Sequence, residues 1–237
     1  MRYRPTARSG CRVSRGRQPL PTLRRSQRRQ LSDCRDDPRD ELATHRALSA
    51  PMIQRPTTVF LDRDGTIIRD VSYLSRAEDV ELLPGAAHAI ARLNQSGAAV
   101  IVITNQSGIA RGTFTVEDYL LTRERLDELL AKNGALVDAT YYCPDHPDFT
   151  GPCSCRKPGT ALFERASVEQ ALDMTSPSYV GDRWRDVEPF HQLGGTPVLI
   201  SGPNTPQEDL DRAAHEDVTV VESLAAAVDL LIGPERP

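Results

Sequence analysis

Thr57-Thr58-Val59-Phe60-Leu61-Asp62-Arg63-Asp64-Gly65-Thr66-Ile67 is the stretch whose reading decides the fold. Its first five residues are short, apolar and β-branched and are bounded by Pro56, the pattern of a buried strand in a parallel sheet. Two carboxylates follow directly, Asp62 and Asp64, and their i, i+2 spacing points both to one side of extended backbone. Open α/β sheets take their ligands at the carboxyl ends of strands, where this pair falls. Gly65 allows backbone angles that a side chain resists. An ordinary strand-to-turn junction is the bland alternative, because Asp-Gly is common in turns. Paired carboxylates repel one another and attract a divalent cation, which favours a site.

The chain has 237 residues, 39% hydrophobic and 26% charged, enough for one α/β domain with a real core. No apolar run reaches membrane-spanning length and no segment reads as a signal peptide, so the expectation is a cytoplasmic protein without a membrane partner. The formal charge of −4 conceals two objects. Residues 1–51 hold 13 Arg against 5 Asp and Glu, a net of +8, while the rest holds 16 basic and 28 acidic residues, a net of −12. The division predicted is a basic, disordered extension over 1–51 and a catalytic domain over 52–237. The extension, rich in Arg, Ser, Gln and Pro, has no apolar period to offset ordering entropy. It reads as a nucleic-acid or anionic-surface binder, as an organelle-targeting segment, or as a dispensable extension, with Met52 a natural start for the compact domain.

Past the carboxylates, residues 67–82 read as a loop folding over the site. Pro84-Gly85 opens a helix with Ala86, Ala87, Ile90 and Leu93 on one face, stopped by Gly97. Ala98–Thr104 is the strongest strand signal in the chain and runs into Asn105-Gln106-Ser107-Gly108. A Thr hydroxyl and successive backbone N–H groups at a strand end form a cradle for phosphate oxygens. Thr115 with Asp118 reads as a capping box for a long helix through Leu130, and Leu136–Tyr142 as a third strand ending at Cys143. Cys143, Cys153 and Cys155 with His146 then crowd one Pro- and Gly-rich loop. Three thiolates and an imidazole suit a closed, tetrahedral zinc site, and this uneven cluster favours a metal over a disulfide framework. Arg156-Lys157-Pro158 follows, and a lysine there would neutralise a transferring phosphoryl group. Thr160–Leu172 reads as a helix, Ser178–Asp182 as a strand ending in another carboxylate, and residues 202–208 as a loop. Pro197–Ile200 and Val218–Val221 are further strands before a closing helix, Ser223–Leu231.

This ordered set resembles the haloacid dehalogenase superfamily of phosphatases. Within it the chain is similar to the branch of D-glycero-D-manno-heptose 1,7-bisphosphate 7-phosphatases and their histidinol-phosphate phosphatase relatives. The resemblance is carried by Phe60–Ile67, Thr104–Gly112, the Cys143–Cys155 loop with Arg156-Lys157-Pro158, and Gly181–Asp186. It implies a Rossmann-like three-layer α/β sandwich with a mainly parallel sheet and a zinc-bound loop. A large cap domain does not fit in the roughly forty residues between Asp64 and Thr104, which a loop, a helix and a strand already fill. The resemblance implies Asp62 as nucleophile and Asp64 as acid/base. Thr104 and Lys157 would stabilise the phosphoryl group, and Arg63, Asn105, Gln106, Ser107 and Arg156 would touch substrate. Mg²⁺ would be held by Asp62, the Asp64 carbonyl and Asp182. The family reads Cys-x-His where this chain has Asp145 two residues after Cys143 and His146 three after. His146 is expected as the fourth Zn²⁺ ligand, with Asp145 chemically able to replace it. The expected partner is a small sugar phosphate handled by a monomer. Histidinol phosphate is the alternative substrate. A nucleic-acid-processing phosphatase or a basic-tailed binding module rests on the extension alone.

Overall fold

The structure is a computed structural model and describes residues 13–15 and 55–235. Seven strands form one sheet in the order β1-β4-β3-β2-β5-β6-β7. They are β1 (Val13–Arg15), β2 (Thr58–Leu61), β3 (Ala99–Asn105), β4 (Ala139–Cys143), β5 (Pro177–Gly181), β6 (Thr196–Ile200) and β7 (Thr219–Val221). All neighbouring pairs from β4 to β7 are parallel; β1 alone runs antiparallel, along the outer edge of β4. The mainly parallel sheet expected from the apolar strands is therefore present.

Chain order explains where the site lies. From β2 the chain winds outward through β3 to β4, then returns to place β5 on the other side of β2 before continuing to β6 and β7. The order reverses at β2, so the crevice at its carboxyl end, between β3 and β5, is the topological switch point. Asp62 and Asp64 leave the sheet there.

The period of two along each strand divides the core between two faces. Val59, Leu61, Val100, Val102, Val180 and Val198 face one side, against α1 (Ala86–Ser96), α8 (Leu224–Ile232) and the buried residues Leu126 and Leu130 of α2 (Val116–Lys132). Phe60, Ile101, Ile103, Tyr179 and Leu199 face the other, against α4 (Ala161–Glu169), α5 (Trp184–Val187) and α7 (Gln207–His215). Phe60 stacks on Tyr179 at 5.4 Å and meets Phe163 edge-on at 5.1 Å. Two short helices, α3 (Pro147–Thr150) and α6 (Phe190–Leu193), complete the set. Between β2 and β3 lie only a flap with one turn of 3₁₀ helix and α1, with no cap domain. No helix among the described residues is long and apolar enough to cross a membrane.

Two differences from the sequence reading have local causes. The strand expected from Leu136 begins at Ala139, because Asp138 turns its carboxylate back onto the Val100 N–H at 2.7 Å. α7 begins inside the segment read as a loop; it turns only Leu210 and Ala213, i and i+3, toward the core, and these two are easily passed over in an otherwise polar stretch. The extension read as disordered lies outside the described residues except for Val13–Arg15, which pair with β4 at the sheet edge. Cys11, Cys34 and Met52 also lie outside them.

A chain beginning at Met52 loses β1 but no residue of the three core clusters among the described residues. Its thermal unfolding, followed by circular dichroism, is expected to stay cooperative. The midpoint should fall by no more than roughly 4 °C, the size of shift that about 1 kcal/mol gives a domain of this length. A molten or aggregated product would show that the extension belongs to the fold.

Candidate active site

Lys157 lies beneath the crevice, 3% exposed. Its ammonium donates to Asp62 Oδ1 at 2.5 Å and to the Ile103 carbonyl at 2.6 Å, and pairs with Asp186 Oδ1 at 2.7 Å. Burial alone would lower the Lys157 ammonium, but Asp186 and Asp62 outweigh it and hold it above its ordinary value. Asn105 fixes the lysine from behind: its Oδ1 accepts from the Lys157 N–H at 3.0 Å and its Nδ2 donates to the Lys157 carbonyl at 3.2 Å. Asn105, expected to touch substrate, lines the cleft and also clamps this peptide.

Asp62, Asp182 and Asp186 each bring a carboxylate oxygen within 4.8 Å of the others. The Lys157 ammonium and the Arg185 guanidinium, whose Nε lies 3.9 Å from Asp186 Oδ1, leave three buried carboxylates one positive charge short. Burial, opposed by Lys157 and reinforced by Asp186 and Asp64, pushes Asp62 up to about 7. Burial, with Asp62 and Asp186, pushes Asp182 up to about 8. Such a cluster of hard oxygen donors short of positive charge fits Mg²⁺. Two glycines let it close up. A Cβ on Gly65, whose φ is +83°, would stand 2.3 Å from Asp182 Oδ2, and one on Gly181 would stand 2.3 Å from the Cβ of Asp186. Asp186 was not singled out from the sequence. Its signal was the carboxylate four residues beyond Asp182, which α5 folds back under the crevice, where Asp186 accepts from the Arg183 N–H at 3.0 Å.

Asp64 stands apart from that cluster. Its Oδ1 accepts from Arg63 Nη2 at 2.9 Å, and its Oδ2 accepts from Arg63 Nε at 3.0 Å and Gln106 Nε2 at 2.9 Å. Arg63 is 1% exposed and its guanidinium lies over the Tyr119 ring at 5.3 Å. Arg63, expected at the substrate, lines the cleft and gives its fork to the Asp64 carboxylate, a bidentate pairing that fixes orientation. Gln106, also expected at the substrate, is buried, and the same Nε2 donates to Thr104 Oγ1 at 2.8 Å. That leaves the Thr104 hydroxyl proton available to an incoming oxygen. Thr104 and Ser107 line the cleft with Asp62, Asp64 and Asp182, as expected. Arg156 is outside that lining and donates through Nη1 to the Asp145 carbonyl at 3.3 Å, tied to the cysteine loop.

In that loop Cys143 Sγ lies 2.7 Å from Cys155 Sγ and 3.7 Å from Cys153 Sγ. The carboxylate gathered with them is that of Asp145, whose Oδ2 is 3.7 Å from Cys155 Sγ. His146 is elsewhere. Its Nε2 meets Arg111 Nη2 at 2.9 Å, and its Nδ1 accepts from the Asp148 N–H at 3.3 Å, capping α3. The structure thus departs from the expectation of His146 beside the thiols and places there the alternative, Asp145. In extended backbone the residue two after Cys143 returns to the same side and the residue three after does not. Cys153 and Cys155 are joined as a disulfide, where three separate thiolates were expected. In its reduced form the cluster offers three sulfurs and one carboxylate at one point, a donor set that suits Zn²⁺.

The family model described as polynucleotide kinase 3 phosphatase matches residues 57–188, and one described as HAD-hydrolase-like matches residues 154–227. The chain is 36% identical over 183 residues to the D-glycero-beta-D-manno-heptose-1,7-bisphosphate 7-phosphatase of Photorhabdus laumondii, covering 75% of this chain and 97% of that one. It is also 36% identical to the D-glycero-D-manno-heptose-1,7-bisphosphate 7-phosphatase of Thermosynechococcus vestitus, covering 72% and 93%. Among solved structures, D,D-heptose 1,7-bisphosphate phosphatase from B. bronchiseptica, complexed with magnesium and phosphate, superposes with a TM-score of 0.67. That pair shares 33% identity and covers 74% of this chain and 98% of the other.

The raised carboxyls make cation binding pH-dependent. Between the ordinary value of 3.8 and about 8 the folded protein keeps protons that the unfolded chain has lost. Without a cation, stability therefore falls as pH rises through that window. Magnesium takes the deprotonated carboxylates, so its gain in melting temperature should be larger at about pH 8.5 than at about pH 6. Equal gains at both would mean the cation binds elsewhere. A second expected outcome concerns the cysteine loop under reducing conditions: Asp145→Ala should lower bound zinc per chain by mass spectrometry, and His146→Ala should keep it. The reverse pattern would restore His146 as the ligand.

Proposed function

The chain belongs to the haloacid dehalogenase-like hydrolases and is a phosphoric monoester hydrolase, and on that premise we propose that it removes the 7-phosphate of D-glycero-D-manno-heptose 1,7-bisphosphate. The observation carrying this reading is the agreement between heptose bisphosphate phosphatases matched over nearly their whole length and the carboxylate–lysine crevice at the switch point. The enzyme is proposed to act as a monomer in the cytoplasm, where the cysteines stay reduced.

In this reading an oxygen of Asp62 attacks the phosphorus in line with the leaving alcohol. Asp64 gives its proton to the departing oxygen, so the first step ends in an aspartyl-phosphate and a neutral alcohol. Asp64, now a carboxylate, takes a proton from water as that water attacks the same phosphorus. Inorganic phosphate leaves and both carboxyl groups are restored. Arg63 and Gln106 hold Asp64 at rest, and its carboxyl must turn from that fork toward the leaving oxygen. Thr104 donates to a phosphoryl oxygen, and Lys157 offsets the charge that gathers on the group in flight. Asp62, Asp182 and the Asp64 carbonyl would hold Mg²⁺, with Asp186 completing the acidic cluster. When bound, the ion would supply positive charge to the phosphoryl oxygens. A Zn²⁺ held by Cys143, Cys153, Cys155 and Asp145 would fix the loop that carries Arg156 and Lys157.

Asp62→Asn is expected to abolish phosphate release while the protein stays folded. Asp64→Asn should slow release by roughly 10²–10⁴-fold, the usual worth of a positioned acid/base. A panel comparing heptose 1,7-bisphosphate with histidinol phosphate should favour the sugar. Near-normal turnover by Asp62→Asn would sink the covalent route, and preference for histidinol phosphate would sink the substrate.

A further inference from the structure

The flap between β2 and α1 is pinned at three places. Its base is closed by an antiparallel bridge between Ile68 and Leu82 and by the Arg69 N–H donating to the Glu81 carbonyl at 2.9 Å. Asn204, from the loop after β6, donates through Nδ2 to Asp70 Oδ2 at 3.2 Å. Leu74 is buried in the core and Val71 packs against it. Between these anchors stands Tyr73, with its backbone in the left-handed region at φ 57° and its ring 45% exposed along the wall of the cleft that contains Asp62 and Thr104.

That combination is costly without a ligand. Glycine enters left-handed backbone freely, whereas a bulky aromatic does so only when its surroundings hold it there. The protein covers part of Tyr73, and the 45% left exposed stands at the cleft, where an entering ligand can cover it. The other aromatic in the lining, Phe114, is 6% exposed and already packed. The floor is carboxylate, amide and hydroxyl, which deals with phosphate and cation. An apolar contact for the carbon skeleton is supplied at the mouth by Tyr73. A pyranose offers a face of C–H groups that lies well against an aromatic ring, and an acyclic polyol phosphate does not.

We propose that Tyr73 is a substrate-binding residue that selects phosphate esters of cyclic sugars by stacking on the sugar ring. The proposal rests on the reading of the chain as a sugar-phosphate phosphatase. Phosphate release is measured from heptose 1,7-bisphosphate, from a second pyranose phosphate and from glycerol phosphate, with Tyr73→Ala, Tyr73→Phe and Tyr73→Gly beside the wild type. The wild type should have a lower KM for a pyranose phosphate than for glycerol phosphate. Tyr73→Ala should raise the pyranose KM roughly 3–10-fold with kcat within about twofold, and leave the glycerol phosphate KM unchanged. Tyr73→Phe should behave as wild type, and Tyr73→Gly should melt above Tyr73→Ala because it relieves the backbone. An unchanged pyranose KM in Tyr73→Ala, an equal rise for both substrate classes, or a wild type that does not prefer the ring overturns the proposal. If the wild type hydrolyses the second pyranose phosphate but not the heptose, the substrate reading above falls. The Tyr73 assignment is then decided on the sugar that is hydrolysed.

Discussion

A buried ammonium ion organises the carboxyl end of this sheet. Lys157 is sealed among Asp62, Asp186 and the Ile103 carbonyl, so segments far apart in the chain depend on a single charge. Taking an ion out of water costs several kcal/mol, and the cost is offset only where partners are close and well aimed. Here two carboxylates and a carbonyl surround the nitrogen within 2.7 Å. Losing one member of such a group leaves a charge buried without its partner, which costs about 3–5 kcal/mol. The same arrangement leaves negative charge in excess, because Asp62, Asp182 and Asp186 meet only Lys157 and the more distant Arg185 guanidinium. A site built this way is stable enough to fold and still short of positive charge, the condition under which a divalent cation and a phosphate enter together.

The lysine is also the point at which the cysteine loop meets the sheet. Cys155 and Lys157 are two residues apart, and Asn105 grips the Lys157 peptide from the end of β3 with two hydrogen bonds. Whatever fixes the sulfurs therefore fixes the ammonium. Arg156 turns the other way and binds the Asp145 carbonyl, tightening the loop on itself. The loop is a support for the site, placed behind its floor and outside the cleft.

Around Asp64 a second set of contacts separates two carboxylates that the sequence places side by side. Asp62 is drawn toward Lys157, and Asp64 toward Arg63 and Gln106. Neighbouring groups of one chemical type thus have different surroundings, the physical basis for giving them different roles. The flap adds the remaining wall, and its Asp70–Asn204 bond ties the cleft's two sides together across the β2–β5 half of the sheet.

The sequence by itself determined the sheet, the switch point and the chemical class of the site. Continuous apolar, β-branched runs, Asp62 and Asp64 at a strand end and Thr104 at the next are local patterns, and local patterns survive without a partner. It also located the thiols of Cys143, Cys153 and Cys155, since their crowding in one Pro- and Gly-rich loop needs no fold to be seen. What only tertiary structure decided is which polar groups face one another. Arg63 and Gln106 read as substrate ligands because they stand beside the carboxylates; in the fold both line the cleft and both also hold Asp64. Asp186 showed only as a carboxylate four residues beyond Asp182 until α5 brought it back beside β5 and onto Lys157, and Asp145 stands where His146 was expected because the backbone alternates sides. Spacing along a chain sets which side chains are near an element. Direction and burial, set by the packing of distant segments, decide what each one touches.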